Sequence, residues 1–425
     1  SSSSSSASTE TCAEGGSEEH QHDALIFLFT GIIIATAIMY LTTFHMFHGL
    51  QFSVSVFSMG VFFSIMQQAL ELDKKLGVFG RSYSMWMDID PHLLIYTMLP
   101  ALLTADAMTI DTQVAQRVAK QCSFLAGPGV LISSLLAALF LHWLEGWTFW
   151  LSLTTGSILC ATDPVAVVAL LKELGASPTL TVMIQGESLL NDGTAIVLYN
   201  ISYNLLKGCE YDASRIIIYL VRVALLAWAL GMMVGVFFLN WIRAASNKLH
   251  HNNSLIQTVL TLCCAYWSFF LAEGVFGISG VLACVAGALV LAHKMWPSIV
   301  DKGALHNFWH VFEHLGNSVI FFLAGALTGK SMAAMHFNDF LHLFAIYVAL
   351  IVIRASLLFG SRPVLRMLGE GGDNSVPIAD ILVMTWGGLR GAVGLSLAIQ
   401  VAHEKADGAI AEADAQHVLF YVSGI

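Results

Sequence analysis

Charged side chains are scarce: Asp, Glu, Lys and Arg make up 11% of 425 residues, against about 25% in soluble domains. With 56% hydrophobic residues and a mean hydropathy of +0.72, that deficit excludes a soluble globular class and leaves a polytopic membrane protein. Basic residues are the scarcer sign, 19 Lys and Arg against 29 Asp and Glu. At a net charge of −10, with no basic patch to neutralise phosphates, a nucleic-acid partner is excluded. The seven Cys lack paired or metal spacing. Cys122, Cys160, Cys263, Cys264 and Cys284 fall in apolar runs and read as small hydrophobic packing. His is plentiful, with 16, yet no HxxxH pair lies inside an apolar span with a carboxylate third ligand. Neither a TVGYG filter nor a regular Arg ladder is present, which argues against a cation channel.

What is there is a series of apolar runs. Residues 1–23 are a Ser- and Glu-rich stretch without periodicity, read as a disordered tail. Residues 24–41 form the first span; no basic stretch precedes it and no cleavage site follows, which argues against a removed signal peptide. Further runs follow at 52–66, 93–103, 122–141, 147–171, 184–206, 216–241, 255–271, 275–292, 311–327, 340–359 and 378–401. Each is close to the length a bilayer needs or extendable to it. A thirteenth begins at His417 and stops after nine residues, so a longer parent chain is expected. Loop Lys and Arg give a weak bias, nine inside against seven outside with the N-terminus out.

Ionisable residues inside these runs are the informative ones, because a carboxylate at bilayer depth costs about 2.5–3.5 kcal/mol on insertion scales. The stretch 161–200 holds Asp163, Glu187 and Asp192, with Thr162, Ser188 and Asn191 beside them. Such an oxygen-rich cluster suits a hard monovalent cation or a proton. On the sixth span Ser188 and Asp192 share a helix face, while Glu187 and Asn191 look slightly sideways. Arg354, in the eleventh span, is the natural partner for Glu187, since a lone buried charge is costly. That leaves Asp192 as the acid able to hold either a proton or a cation, and one such acid implies one-for-one exchange. Arg222 reads as a side chain reaching to an interface, and Glu313 receives no role.

Two spans are broken. The fifth carries Thr162-Asp163-Pro164, where Pro removes a backbone donor. The twelfth carries Gly387-Gly388-Leu389-Arg390-Gly391. The breaks lie seven spans apart, the pattern of two related halves with a midplane site. Uncapped helix ends inside a membrane need an acid at one pole and a base at the other. Asp163 and Arg390 suit those structural roles.

The stretches ATDPVAVVALLKELGAS (161–177), GESLLNDGTAIV (186–197), GVLISSLLAALF (129–140) and WGGLRGAVGLSL (386–397) resemble the cation/proton antiporter family, specifically the eukaryotic sodium/proton exchangers. Within it the chain looks similar to the plant plasma-membrane salt-tolerance and animal sperm branches. The resemblance implies an all-α membrane fold of about thirteen helices, with inverted repeats and two crossed broken helices. Residues 24–425 would form the exchanger domain, with a core around helices 4–6 and 11–13 and a dimerisation part around helices 1–3 and 8–10. It implies Na⁺/H⁺ exchange at the plasma membrane by an elevator motion, in a homodimer embedded in lipid. Neither enzyme activity nor a cofactor is implied. By resemblance Na⁺ sits on Asp192, Ser188 and the Thr162 carbonyl, with Glu187 direct or through water. Asp163 meets Asn191, and Arg354 pairs with Glu187. An Asn-Asp pair is associated with electroneutral exchange. K⁺/H⁺ exchange by the same ligands is the alternative. The third span, LLIYTMLPALL, lacks the paired Phe linked to amiloride-type inhibition.

Overall fold

A computed structural model describes residues 21–44, 51–70, 77–87, 89–209, 213–246, 252–332, 335–369, 377–388 and 390–425. Among them there are helices and no strands. In lipid, backbone polar groups must be paired within the segment itself, which a helix does. In chain order the helices are α1 (Gln21–Thr42), α2 (Phe52–Ala69), α3 (Val78–Met87), α4 (Pro91–Thr109), α5 (Thr112–Phe124) and α6 (Val130–Glu145). Then come α7 (Phe149–Cys160), α8 (Val165–Glu173), α9 (Pro178–Leu206), α10 (Ala213–Ala244), α11 (Asn252–Phe270) and α12 (Gly280–Lys294). The last five are α13 (Lys302–Met332), α14 (Phe337–Leu368), α15 (Ile378–Trp386), α16 (Ala392–Gly408) and α17 (Glu412–Gly424).

Side-chain oxygens mark several starts. Asp90 accepts from the His92 amide before α4, Asp111 from Gln113 before α5, Thr148 from Leu151 before α7, and Ser279 from Leu282 before α12. A π-turn at Leu125–Gly129, containing Pro128, joins α5 to α6. Among the described residues, seven stretches are long and apolar enough to cross a membrane: 25–42, 52–69, 112–145, 221–244, 253–275, 302–332 and 337–368. α9 has the length at 29 residues but carries its polar cluster at mid-height.

Three expectations change. The tail expected to run to Asp23 gives way to helix at Gln21, and Asp23 is buried there with Arg81 of α3 at 2.9 Å. Residues 1–20 lie outside the described residues. α3 itself was not anticipated, being too short and polar to register as a span. Finally, α13 begins at Lys302 rather than 311, which puts His306, His310 and Glu313 on one helix at HxxxH-x-x-E spacing. Even so, among the described residues no group of three or more His, Cys, Asp or Glu could hold a metal ion.

Glycine sets the closest helix approaches, as membrane packing favours. A Cβ on Gly60 of α2 would lie 2.3 Å from the Phe322 carbonyl of α13, and one on Gly325 would lie 2.2 Å from that of Phe57. Gly231 of α10 meets the Ala283 carbonyl of α12 in the same way, and Gly156 of α7 that of Ser134 in α6. Helices α1–α4 and α10–α13 pack mainly among themselves, as do α5–α9 and α14–α17. The two sets meet where α4, α12 and α13 face α9, α16 and α17.

Candidate functional site

The site lies where two interrupted helices cross. α7 ends at Cys160, the chain runs extended through Ala161, and Pro164 precedes α8. α15 ends at Trp386, and α16 starts at Ala392 after the glycine-rich break. The breaks touch: a Cβ on Gly391 would come 2.5 Å from Cβ of Asp163 and 3.0 Å from its Oδ2. Only a glycine leaves that space. The Asp163 carboxylate thereby sits at the N-terminal end of α16, where the helix dipole favours negative charge. Across the crossing, Nη1 of Arg390 donates to the Ala161 carbonyl at 3.4 Å, covering an orphan acceptor at the end of α7.

α9 is stitched to the first break by its polar face. Asn191 Nδ2 donates to the Cys160 carbonyl at 2.7 Å and to Thr162 Oγ1 at 3.2 Å. The Ser188 hydroxyl donates to the Thr162 carbonyl. Glu187 Oε1 pairs with Nη2 of Arg354 at 3.1 Å, both side chains largely buried. The Arg354 Nε also donates to the Met384 carbonyl at 2.9 Å, covering the end of α15 as Arg390 covers the end of α7.

These side chains divide between two cavities. The first, about 60 Å³, is lined by Asp106, Asp163, Gln185, Ser188, Asp192 and Asn317 among others. A water occupies about 10–15 Å³ on this measure, so an ion with a few waters fits. The second, about 30 Å³, is lined by Thr162, Glu187, Asn191, Arg354 and Arg390. Asp192 and Ser188 thus share a cavity, while Glu187 is not among the residues lining it. Among the described residues Asp192 has no hydrogen bond or ion pair, unlike Glu187. The Thr162 carbonyl and the Ser188 hydroxyl satisfy one another here, so a cation on both would replace that hydrogen bond.

Sequence reasoning missed Asp106, Gln185 and Asn317. Asp106 stands three residues beyond the apolar run 93–103, at a margin set too short. Gln185 precedes Ser188 by three and Asp192 by seven, which is one helix face. Asn317 is a polar residue inside the apolar run 311–327.

A family model described as "Sodium/hydrogen exchanger, transmembrane" matches residues 20–423. Sodium/hydrogen exchangers 8 and 7 of Arabidopsis thaliana are each 32% identical over 95% of this chain. The chain spans about half the length of the first, 53%, and 35% of the second. The Na⁺/H⁺ antiporter ApNhaP of Aphanothece halophytica is 29% identical over 74% of this chain and 59% of its own. The solved sodium proton antiporter MjNhaP1 of Methanocaldococcus jannaschii shares the fold, with a TM-score of 0.66 at 16% identity over 95% of this chain and 94% of that one. With the family model covering nearly every residue, the crossed broken helices and the acid-lined cavity belong to a member of the sodium/hydrogen exchanger family.

Proposed function

We propose that this chain is the transport unit of a Na⁺/H⁺ antiporter, a transporter and not an enzyme, needing no cofactor. The observation that carries the reading is Asp192: a carboxylate without a partner among the described residues, facing a small cavity with Ser188 at the crossing of two broken helices. Its relatives are named for sodium and proton exchange. Asp192 holds Na⁺ or a proton, never both, with Ser188 and the Thr162 carbonyl as further Na⁺ ligands. Glu187, held by Arg354, and Asn191 keep the first break in place. Asp163 and Arg390 neutralise the helix ends. One alternating acid makes the exchange one-for-one and electroneutral.

Alternating access proceeds by an elevator motion of the α5–α9 and α14–α17 set against the α1–α4 and α10–α13 set, the latter also pairing two copies in a homodimer. We read the state described as inward-facing: Val168 and Ile110, near the helix ends that loop charges assign to the inside, line the cavity together with Asp192. At the opposite ends Glu404 of α16 staples His92 of α4 at 2.8 Å, the Tyr203 hydroxyl of α9 at 3.2 Å and Lys207 at 3.5 Å. Resemblance to the plant salt-tolerance exchangers supports the plasma membrane as its location.

The test is uptake of labelled sodium and potassium into proteoliposomes with an acidic interior. Sodium is expected to accumulate until the pH gradient collapses. Equal or better uptake of potassium would replace the ion, and uptake indifferent to the gradient would end the antiport reading.

A further inference from the structure

Arg222 stands nine residues into α10 (Ala213–Ala244), and nothing in the exchange scheme uses it. The helix is 32 residues long, about 48 Å at 1.5 Å per residue, against a hydrocarbon core of about 30 Å. Arg222 therefore sits near the edge of the hydrocarbon, where its long side chain reaches the headgroups. Among the described residues it has no ion pair or hydrogen bond. It opens onto a cavity of about 480 Å³ between α10 and the turn that leads into α12. Below it, Leu226, Leu230 and Met233 follow at spacings of four, four and three, a single helix face. Phe276 and Ile278 form the other wall, with Gly277 between them in the left-handed turn at φ +59°. Phe276 is 59% and Met233 67% exposed, so the groove opens sideways toward the bilayer rather than inward toward Asp192.

A cation without a partner above an apolar slot matches an amphiphile with an anionic head and a hydrocarbon tail. A guanidinium prefers phosphate oxygens, which it grips bidentately. We propose that this groove is a phospholipid-binding site: the lipid phosphate sits on Arg222, and one acyl chain lies along Leu226, Leu230 and Met233 against Phe276 and Ile278. The chain excludes solvent from the slot, and the phosphate supplies the anion that Arg222 lacks. Removing either half of this complementarity weakens the site by itself.

Native mass spectrometry of the detergent-purified full chain tests this, with dioleoylphosphatidylglycerol, dioleoylphosphatidylcholine, dioleoylglycerol and inorganic phosphate as separate probes. Arg222→Gln removes the charge, Arg222→Lys keeps it without the fork, and Ala229→Trp fills the slot while leaving the charge. All are first checked for monodisperse elution. Both phospholipids are expected to be retained by the wild type, with roughly tenfold weaker retention in Arg222→Gln, the loss a charge-assisted hydrogen bond carries. Ala229→Trp should lose the lipid as well, and Arg222→Lys should fall between. Equal retention by the wild type and Arg222→Gln would overturn the proposal. So would retention of dioleoylglycerol equal to that of the phospholipids, meaning apolar filling alone, or displacement of the lipid by inorganic phosphate, meaning a simple anion site.

Discussion

The two helix breaks are alike in outline and different in what they do. Each leaves a carbonyl end inside the membrane, and each end is covered by an arginine from elsewhere: Ala161 by Arg390, Met384 by Arg354. The first break is built from Thr, Asp and Pro and is laced to α9 by Ser188 and Asn191. The second is built from glycine and supplies space, at Gly391 for Asp163 and at Gly388 for Arg354. One break presents oxygens and the other makes room for the charges that hold the first in place. Stitching by hydrogen bonds suits a carbonyl that must stay at one point; glycine suits a crossing where another side chain takes the space a Cβ would fill.

If the first break and α9 carry the ion, the largest loss comes from Asp192. Asp192→Asn should lower pH-driven sodium flux to that of protein-free liposomes, with normal yield and normal melting temperature. Substantial flux in that variant, measured by labelled sodium uptake, would move the ion off α9 altogether.

Next is the arginine that ties α9 to the end of α15. Arg354→Ala leaves Glu187 buried without its partner and the end of α15 uncovered, and breaking such a pair costs about 3–5 kcal/mol. Glu187→Gln should cost less, since Arg354 keeps the Met384 carbonyl. The double variant should be less harmful than the sum of the two. Thermal-shift measurements in detergent give the cycle, and strict additivity would mean that the pair carries no coupling.

Smaller again is Gly391→Ala. Its Cβ would meet Asp163 at 2.5 Å, and overpacking of this kind costs about 1–3 kcal/mol. Transport should fall more than stability does, because the displaced side chain is Asp163, which lines the cavity of Asp192. At Gly360 nothing lies within 4 Å of an added Cβ, so Gly360→Ala should leave transport unchanged. Equal transport losses in the two variants, measured by sodium uptake at matched protein density, would mean that the crossing is not what makes Gly391 matter.

Much of this arrangement is legible in the chain alone, and the parts that are not share a cause. Pro164 and the glycines around Arg390 announce the breaks, because each disrupts a helix in a way no neighbour can hide. Glu187 and Arg354 stand out as opposite charges in apolar runs and are found together. What sequence cannot supply is which strand of backbone lies across which: Ser188 reaching the Thr162 carbonyl depends on how α9 crosses the break. Asp106 and Asn317 escape for a simpler reason. They stand at or within apolar runs belonging to other helices, and only folding brings them to the cavity of Asp192. Polarity inside a run, for Asn317, or at its margin, for Asp106, was the available signal.

The smallest expected effect is a null one, and it bears on the division of labour between the breaks. If Arg354, anchored at the second break, holds Glu187 as a fixed ion pair, Asp192 is the acid left to exchange a proton for a cation. Each cycle then moves one positive charge each way, and a membrane potential has nothing to act on. Proteoliposomes holding equal sodium on both sides and no pH difference, given a valinomycin-set potassium potential, should show no pH change. A pH change that follows the sign of the potential, with proton leak controlled, would mean a second acid titrates in the cycle. Asp106 and Asp163 line the same cavity as Asp192, whereas Glu187 lines the other with Arg354. Repeating the measurement in Asp106→Asn would then separate them: a potential response that disappears places the second proton on α4, and one that persists places it at the first break itself.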